Sequence, residues 1–578
     1  MPRHHSYRSR SLLALMALEI CAPRAAVAAQ SSSPAAPVTQ APVTQAPVTQ
    51  APVTQTPVTQ TEEWIHVPST ERPPIQNYPH AGVVGQPRRV VASQNHAPQG
   101  RQGPWGAFSY GNGESAGFGP VGRYGVAPWA EDWSFLRDKS RRDDPFDPLK
   151  FIALNDAKTI WLSFSGETRL RNWYEETPFL GKKGGSNSGR FGVRNLYGAD
   201  LHLGEHVRLF GQLINADAAG WKGFGYNTTY RKRLDLQQAF IEFKGKLAGA
   251  QTGFMFGRQQ FLDAPSYVLY NRETPNVPLS WNGGRIYAIW PNIRVDAFDF
   301  VQTKTDATLM FHDTEDYGTR LYGGDITALV PQFSIGGETV HSFLDIFYYG
   351  YRYGGSLSVV PLASGSLKGT SSRGNVGFRW YGTAASFEYS FGGLYQDGTF
   401  QKSGSEHKSA VQAYSVNTIV GYRHTPSPLH PFIGVQADLY SGGADGTNGP
   451  VRTYMVPFNP QTNYLDTTTY IQPSNLVSLS PVFSVTPWKG FASIQFKVPF
   501  MWRENADGAI WNSSGPYTFS KTYHGGYIGV VPQASLKLQL NRHLTWQIYG
   551  ARFMASNGLH AAGAKSGSYA QSNVVFRF

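Results

Sequence analysis

Ser163-Phe164-Ser165-Gly166-Glu167-Thr168-Arg169-Leu170-Arg171-Asn172-Trp173-Tyr174 alternates between two kinds of side chain. Phe164, Thr168 and Leu170 occupy even positions, and Ser165, Glu167, Arg169 and Arg171 odd ones. A period of two puts successive side chains on opposite faces of a strand, so one face here is largely apolar and the other charged. The same division holds in Val207–Leu213, where Val207, Leu209 and Leu213 oppose Arg208 and Gln212. In Leu544–Tyr549, Leu544, Trp546 and Ile548 oppose Thr545, Gln547 and Tyr549. The C-terminal stretch sets Val574, Phe576 and Phe578 against Gln571, Asn573 and Arg577. An apolar face outside and a polar face inside, with an aromatic at the end of the last strand, is the pattern of an outer-membrane barrel.

The pattern recurs from about Thr159 to Phe578, in eighteen segments separated by breaks. Their centres fall near Thr168, Val193, Leu209, Phe240, Phe254, Tyr287, Ala297, Tyr322 and Ile346. They continue near Phe378, Tyr389, Ser415, Val435, Leu479, Ile494, Val530, Gln547 and Val574. Very short links at Gly204-Glu205, Pro291-Asn292, Thr383-Ala384, Pro487-Trp488 and Asn541-Arg542 broadly alternate with long ones, allowing for medium links near Gln332 and Pro426. Short turns on one side and long loops on the other sort as periplasmic and extracellular. The expected fold is therefore all-β: a transmembrane antiparallel β-barrel of about eighteen strands, preceded by a disordered N-terminal extension. Trp173, Tyr348, Tyr349, Tyr351, Trp380 and Trp502 lie near strand ends and are expected in interfacial girdles.

Composition agrees. Charged residues are 16% of the 578, aromatics 14%, and there are 62 glycines, with a mean hydropathy of −0.33. No stretch approaches the ~18 apolar residues of a membrane helix. Residues 1–29 read as a signal peptide: Arg3, Arg8 and Arg10, the apolar Leu12–Leu18, and the small-x-small site Ala26-Val27-Ala28. A lipoprotein cut before Cys21 is disfavoured by Glu19 and Ile20, which stand where small residues are needed. Cys21 is the one cysteine, so no disulfide is expected after cleavage. Losing four arginines and one glutamate takes the formal charge from +12 to +9. For an exported chain, that surplus points to an anionic substrate or lipid and away from nucleic acid.

Residues 30–126 read as a low-complexity periplasmic extension. Ala36–Gln60 holds five pentapeptides, four Ala-Pro-Val-Thr-Gln and a fifth beginning at Thr56, which favour an extended spacer. Gly113-Glu114-Ser115-Ala116-Gly117 matches the nucleophile elbow literally. That motif needs a strand turning sharply into a helix, and its Gly-rich flanks supply neither, so it is set aside.

Several segments, taken in order, resemble the alginate export family. They are Trp129-Ala130-Glu131-Asp132-Trp133-Ser134 with Asp144-Pro145-Phe146-Asp147-Pro148-Leu149-Lys150, and Ser165-Gly166-Glu167-Thr168-Arg169-Leu170-Arg171. Further along come Leu236-Gln237-Gln238-Ala239-Phe240-Ile241-Glu242, Phe256-Gly257-Arg258-Gln259 and Trp281-Asn282-Gly283-Gly284-Arg285-Ile286. The resemblance runs over residues 127–578, sharpest before Ile286. It implies an eighteen-stranded barrel enclosing an Arg-lined conduit fed by a periplasmic assembly. Residue by residue it makes Glu167, Arg169, Arg171, Gln238, Glu242, Arg258, Gln259 and Arg285 lumen candidates. Strand parity adds Arg190, Arg194 and Arg208.

The expected function is outer-membrane export of an anionic, alginate-like polysaccharide. The expected setting is the lipid and lipopolysaccharide of a Gram-negative outer membrane, with periplasmic secretion proteins as partners and a monomeric barrel as the default. An uptake porin for small anions or sugars is the alternative. An enzyme is disfavoured, because the sequence has no HExxH and no Ser-His pair placed by a motif. An adhesin would leave the arginines unexplained. No cofactor is expected, although His312-Asp313-Thr314-Glu315-Asp316 and Asp445-Gly446-Thr447-Asn448-Gly449 sit in predicted loops and could hold Ca²⁺.

Overall fold

Alternation along the chain becomes a sheet that closes on itself. The computed structural model describes Tyr124 and residues 128–578, apart from 132, 183–186, 221–228, 262–263, 266, 270–275, 291–292, 363–364, 385, 425, 444–448, 457–464, 488–490 and 513–514. The expected signal peptide, the pentapeptides, Gly113–Gly117 and most of the second loop cluster, 445–448, lie outside the described residues. Those described belong to the compact unit Gln60–Phe578.

Eighteen antiparallel strands make the barrel. The first nine are β1 (Ile160–Glu176), β2 (Asn187–Leu203), β3 (Val207–Ala219), β4 (Lys232–Leu247), β5 (Ala250–Gln259), β6 (Trp281–Ile289), β7 (Ile293–Lys304), β8 (Thr314–Ile335) and β9 (Glu338–Leu362). Next come β10 (Gly365–Ala384), β11 (Phe387–Lys402), β12 (Lys408–Arg423), β13 (Phe432–Tyr440) and β14 (Leu476–Val485). β15 runs as Ala492–Lys497 and Phe500–Trp502, and β16 as Tyr527–Val530 and Gln533–Gln539. Their breaks face each other at Pro499 and Pro532, residues that cannot donate to the ladder. β17 (Leu544–Ala555) and β18 (Gly567–Arg577) complete the set. β18 pairs with β1 from Glu167↔Arg577 to Glu176↔Ser568, and Gly166 and Phe578 exchange backbone hydrogen bonds of 3.0 Å. Each of the eighteen expected centres lies within one of these strands.

The link lengths needed correction in two places. The medium link expected near Gln332 is the two-residue turn Gly336-Gly337, and Ala248-Gly249 is a second such turn. All four residues have positive φ (60° and 85°, 50° and 75°), which suits the tight hairpin turns that match strand twist. At the opposite end, β9 and β10 are separated only by 363–364, because the strands themselves extend far along the loop side.

Burial follows parity. In β12 the pattern alternates without a break from Lys408 to Thr418, and Phe164, Leu170, Phe256 and Ile346 are exposed on the outer face. The aromatic girdle is smaller than expected. Tyr348 and Trp380 face outward, but Trp173, Tyr349 and Tyr351 are at most 5% exposed and point inward. Parity, rather than proximity to a strand end, decided the side.

Two further pieces sit within or against the wall. Residues 128–153 lie across the short-turn end, which is the periplasmic end in barrels of this class. Phe146 stacks on Phe578 at 4.7 Å, while Trp129 packs inside against Phe210, Phe240, Met255 and Tyr287. At the other end, the described parts of the β5–β6, β13–β14 and β15–β16 loops fold inward. Tyr267, Val268 and Leu269, Tyr454, Leu465 and Tyr470, and Ile510 and Tyr517 join one buried cluster with inward residues of the strands.

Candidate channel lumen

The charged face of β1 looks into the barrel. Register sets Arg169 opposite Arg194, Trp173 opposite Arg190, Glu167 opposite Arg577 and Arg171 opposite Asn573. Glu167 is held from both sides: Arg194 Nε donates to Oε1 at 2.8 Å and Arg577 Nε to Oε2 at 2.8 Å. Arg190 pairs with Glu175, and Arg171 donates to Asn573. The Trp173 ring lies 5.3 Å from the Arg171 guanidinium and 5.6 Å from that of Arg190, within cation–π range. The wall formed by β18, β1 and β2 thus sets the guanidiniums of Arg169, Arg171, Arg190, Arg194 and Arg577 against the carboxylates of Glu167 and Glu175.

Elsewhere the interior is closely paired. Arg208 donates to Asp200 at 2.8 Å and to Glu242 at 3.1 Å, and its remaining nitrogen reaches the Trp129 carbonyl. Tyr287 Oη also donates to Glu242 at 2.8 Å. Arg285 and Arg294 share Asp296, each with a contact of 2.6 Å. Gln238 donates to Gln212 at 3.0 Å and accepts from the Gln260 N–H, and Gln259 is 1% exposed on the inner face. Ten of the eleven predicted site residues therefore have inward, buried side chains.

Arg258 does not. It stands opposite Ala239 and Asn282, in phase with the exposed Phe254 and Phe256 and out of phase with buried Met255 and Gln259. Beneath the β7–β8 loop it lies 3.6 Å from both Asp235 and Asp313 and donates to Asn282 at 3.1 Å. The family-like Phe256-Gly257-Arg258-Gln259 thus splits across the wall, with Gln259 inside and Arg258 outside.

The same loop accounts for the first cluster of acidic loop residues. Asp313 is buried against Lys232 and accepts from the Asp306 N–H, while burial pushes its carboxyl above the usual carboxylate range. Asp316 accepts from Gly318 and Thr319. Asp306 accepts from the N–H groups of Leu309 and Thr308, which hold its carboxyl low. Among the described residues, no three His, Cys, Asp or Glu side chains are grouped to hold a metal ion.

Several interior groups belong to no motif. Asp345 accepts from Arg379 Nε at 3.1 Å, Glu388 from Arg423 at 2.6 Å, and Arg373 donates to Gln396 at 2.6 Å. All lie on inward positions, so extending parity through β9–β12 would have found them. The inward fold of the loops had no such signal. Tyr351 donates to the Met455 carbonyl and Arg373 to that of Thr453, tying loop backbone to the wall, and Tyr517 donates to that of Tyr470, tying one loop to another. Asp466, buried in the β13–β14 loop, accepts from the N–H groups of Thr468 and Thr469. Burial nonetheless raises its pKa.

A family model described as alginate export matches residues 160–573. Among solved structures, the barrel resembles OccK11 (OpdR) of Pseudomonas aeruginosa, with 10% identity, 72% of this chain and 96% of that one covered, and a TM-score of 0.43. A BenF-like porin from Pseudomonas fluorescens Pf-5 matches at 9%, 72%, 98% and 0.41. Pseudomonas aeruginosa OccK2 (OpdF), solved in complex with glucuronate, matches at 10%, 74%, 98% and 0.45. No curated protein matches the chain.

Proposed function

Because the chain belongs to the alginate export family, we propose that this outer-membrane channel carries an anionic, uronate-bearing polysaccharide out of the periplasm along the β18–β1–β2 wall. The observation that carries this reading is the gathering of guanidiniums on one wall. Arg169, Arg171, Arg190, Arg194 and Arg577 lie together on the inner face of β18, β1 and β2, interleaved with Glu167 and Glu175. The eight residue steps of β1 from Glu167 to Glu175 rise about 27 Å along the strand, enough to meet several sugar units at once.

Each guanidinium offers a planar fork to a carboxylate and keeps its charge at any physiological pH. Glu167 and Glu175 bracket the track and hold the arginines apart. A polymer is therefore drawn in without being gripped at any one point, as conduction requires. No covalent step is part of this reading. The inward loops favour export over an uptake porin, because they set an apolar cluster across the path of a channel that an uptake porin would keep open.

The test is conductance in a planar bilayer, comparing anion and cation permeability. Arg169→Ala with Arg171→Ala should cut anion preference, and Arg258→Ala, outside the wall, should leave it unchanged. Cation selectivity in the unaltered protein, or an equal effect from Arg258→Ala, would overturn the proposal.

A further inference from the structure

Asn276 lies on the β5–β6 loop, 0% exposed, where that loop meets the cationic wall. Arg169 Nη2 donates to its side-chain Oδ1 at 3.0 Å and to its main-chain carbonyl at 3.2 Å, and Arg194 Nη1 donates to the same carbonyl at 3.3 Å. Two oxygens of one residue, side by side, thus meet guanidiniums from two strands, as the two oxygens of a carboxylate would. Its amide nitrogen faces the carbonyls of Val193, Asp217 and Tyr230 at 2.9–3.3 Å.

The next few residues of the loop couple this contact to the inner cluster. Val277 packs against Leu196, Ile214 and Ala216, Gln237 donates to the Pro278 carbonyl at 3.2 Å, and Leu279 joins the cluster that includes Phe261, Tyr267 and Trp281. Residues 276–280 are therefore held at one end by two arginines and at the other by the apolar cluster that fills the loop side of the lumen.

We propose that Asn276 is an internal stand-in for the cargo: it latches the inward loop on Arg169 and Arg194, and an arriving uronate carboxylate displaces it and releases the loop. This rests on the reading of the cargo as a uronate polymer. Charge-assisted hydrogen bonds with both partners ionised are stronger than those to a neutral amide or carbonyl, so a carboxylate outcompetes the oxygens of Asn276 for the same donors. A neutral sugar has no such advantage. The latch and the cargo then exclude each other, and by linkage whatever weakens one strengthens the other by the same factor.

The experiment uses the full mature chain in bilayers and liposomes, with trigalacturonate as probe and maltotriose as the neutral control. Trigalacturonate should raise the open fraction of the unaltered channel, and maltotriose should not. Asn276→Ala keeps the main-chain carbonyl but removes the Oδ1 that Arg169 uses and the amide that anchors the residue, so it should raise the resting open fraction and tighten trigalacturonate binding, each by about tenfold, the effect of losing one hydrogen bond to a charged group. Heat-modified migration in gels checks that the variant barrel is folded.

As a second measurement, amide exchange in 276–280 of the unaltered protein should accelerate with trigalacturonate. Trigalacturonate binding with no change in exchange, and no opening by a folded Asn276→Ala, would overturn the latch while leaving the cargo reading intact. An Asn276→Ala channel that opens but neither binds trigalacturonate nor prefers anions would instead overturn the cargo.

Discussion

Glu167 is the sharpest place to test the charge balance of the lumen, because one carboxylate there serves two arginines. Glu167→Gln keeps the shape and one acceptor oxygen but removes the charge that Arg194 and Arg577 share. Arg194 is 1% exposed, so its guanidinium loses the Glu167 charge inside the wall, whereas Arg577, at 21%, retains some water. Breaking one side of a buried pair costs about 3–5 kcal/mol, and the partial exposure of Arg577 favours the lower figure.

The functional effect has the opposite sign. Removing one negative charge about 8 Å from a permeating anion is worth about 2 kcal/mol at an effective dielectric of ~20. Screening at 0.1 M salt reduces this to about 1 kcal/mol, roughly fivefold for the anion; a cation is disfavoured by the same factor, so anion-to-cation permeability rises roughly 25-fold. The zero-current potential across a KCl gradient reads that ratio, and urea unfolding reads the stability. A variant that unfolds earlier but shows no shift toward anions, or shifts toward cations, would refute the idea that the charge on this wall sets selectivity.

Trp129→Ala should raise conductance measured from the periplasmic side and lower stability by about 3–5 kcal/mol, because it empties the pocket formed by Phe210, Phe240, Met255 and Tyr287; an unchanged conductance would show that this segment does not obstruct the mouth. Arg423→Ala strands buried Glu388 and should cost about 3–5 kcal/mol, whereas Arg320→Ala, whose pair with Asp299 is half-exposed, should cost under about 1 kcal/mol by thermal unfolding. Asp466 has a raised pKa, so the inward loop is most stable below the ordinary value of 3.8 and loses stability as pH rises from there through the raised value. Asp466→Asn should therefore stabilise the closed loop at neutral pH and flatten this dependence, seen as slower amide exchange in 465–471.

The barrel and the inward set of charges were legible in the sequence because alternation is a local signal. A strand cannot change which face a residue occupies without slipping register, so Glu167, Arg169, Arg171, Arg190, Arg194 and Arg208 could be assigned inward from their own neighbours. The same rule, applied to Trp173, Tyr349 and Tyr351, would have placed them inside; a strand-end position alone misled. Arg258 shows the converse. A motif carried it into the lumen although its phase with Phe254 and Phe256 already put it outside.

The tertiary structure alone decided the contacts between residues far apart in the chain: Arg169 and Arg194 with Asn276, Arg208 with Trp129, Arg373 with the backbone at Thr453. Loops have no period, so nothing in the sequence announces that Tyr267, Asn276, Tyr454 and Leu465 lie inside. That inward course comes from the width of an eighteen-stranded barrel, which leaves space for loops, and from apolar side chains such as Tyr454, Leu465 and Leu279 that bury themselves there. Alternation therefore determined the wall, and closure of the sheet determined what fills it.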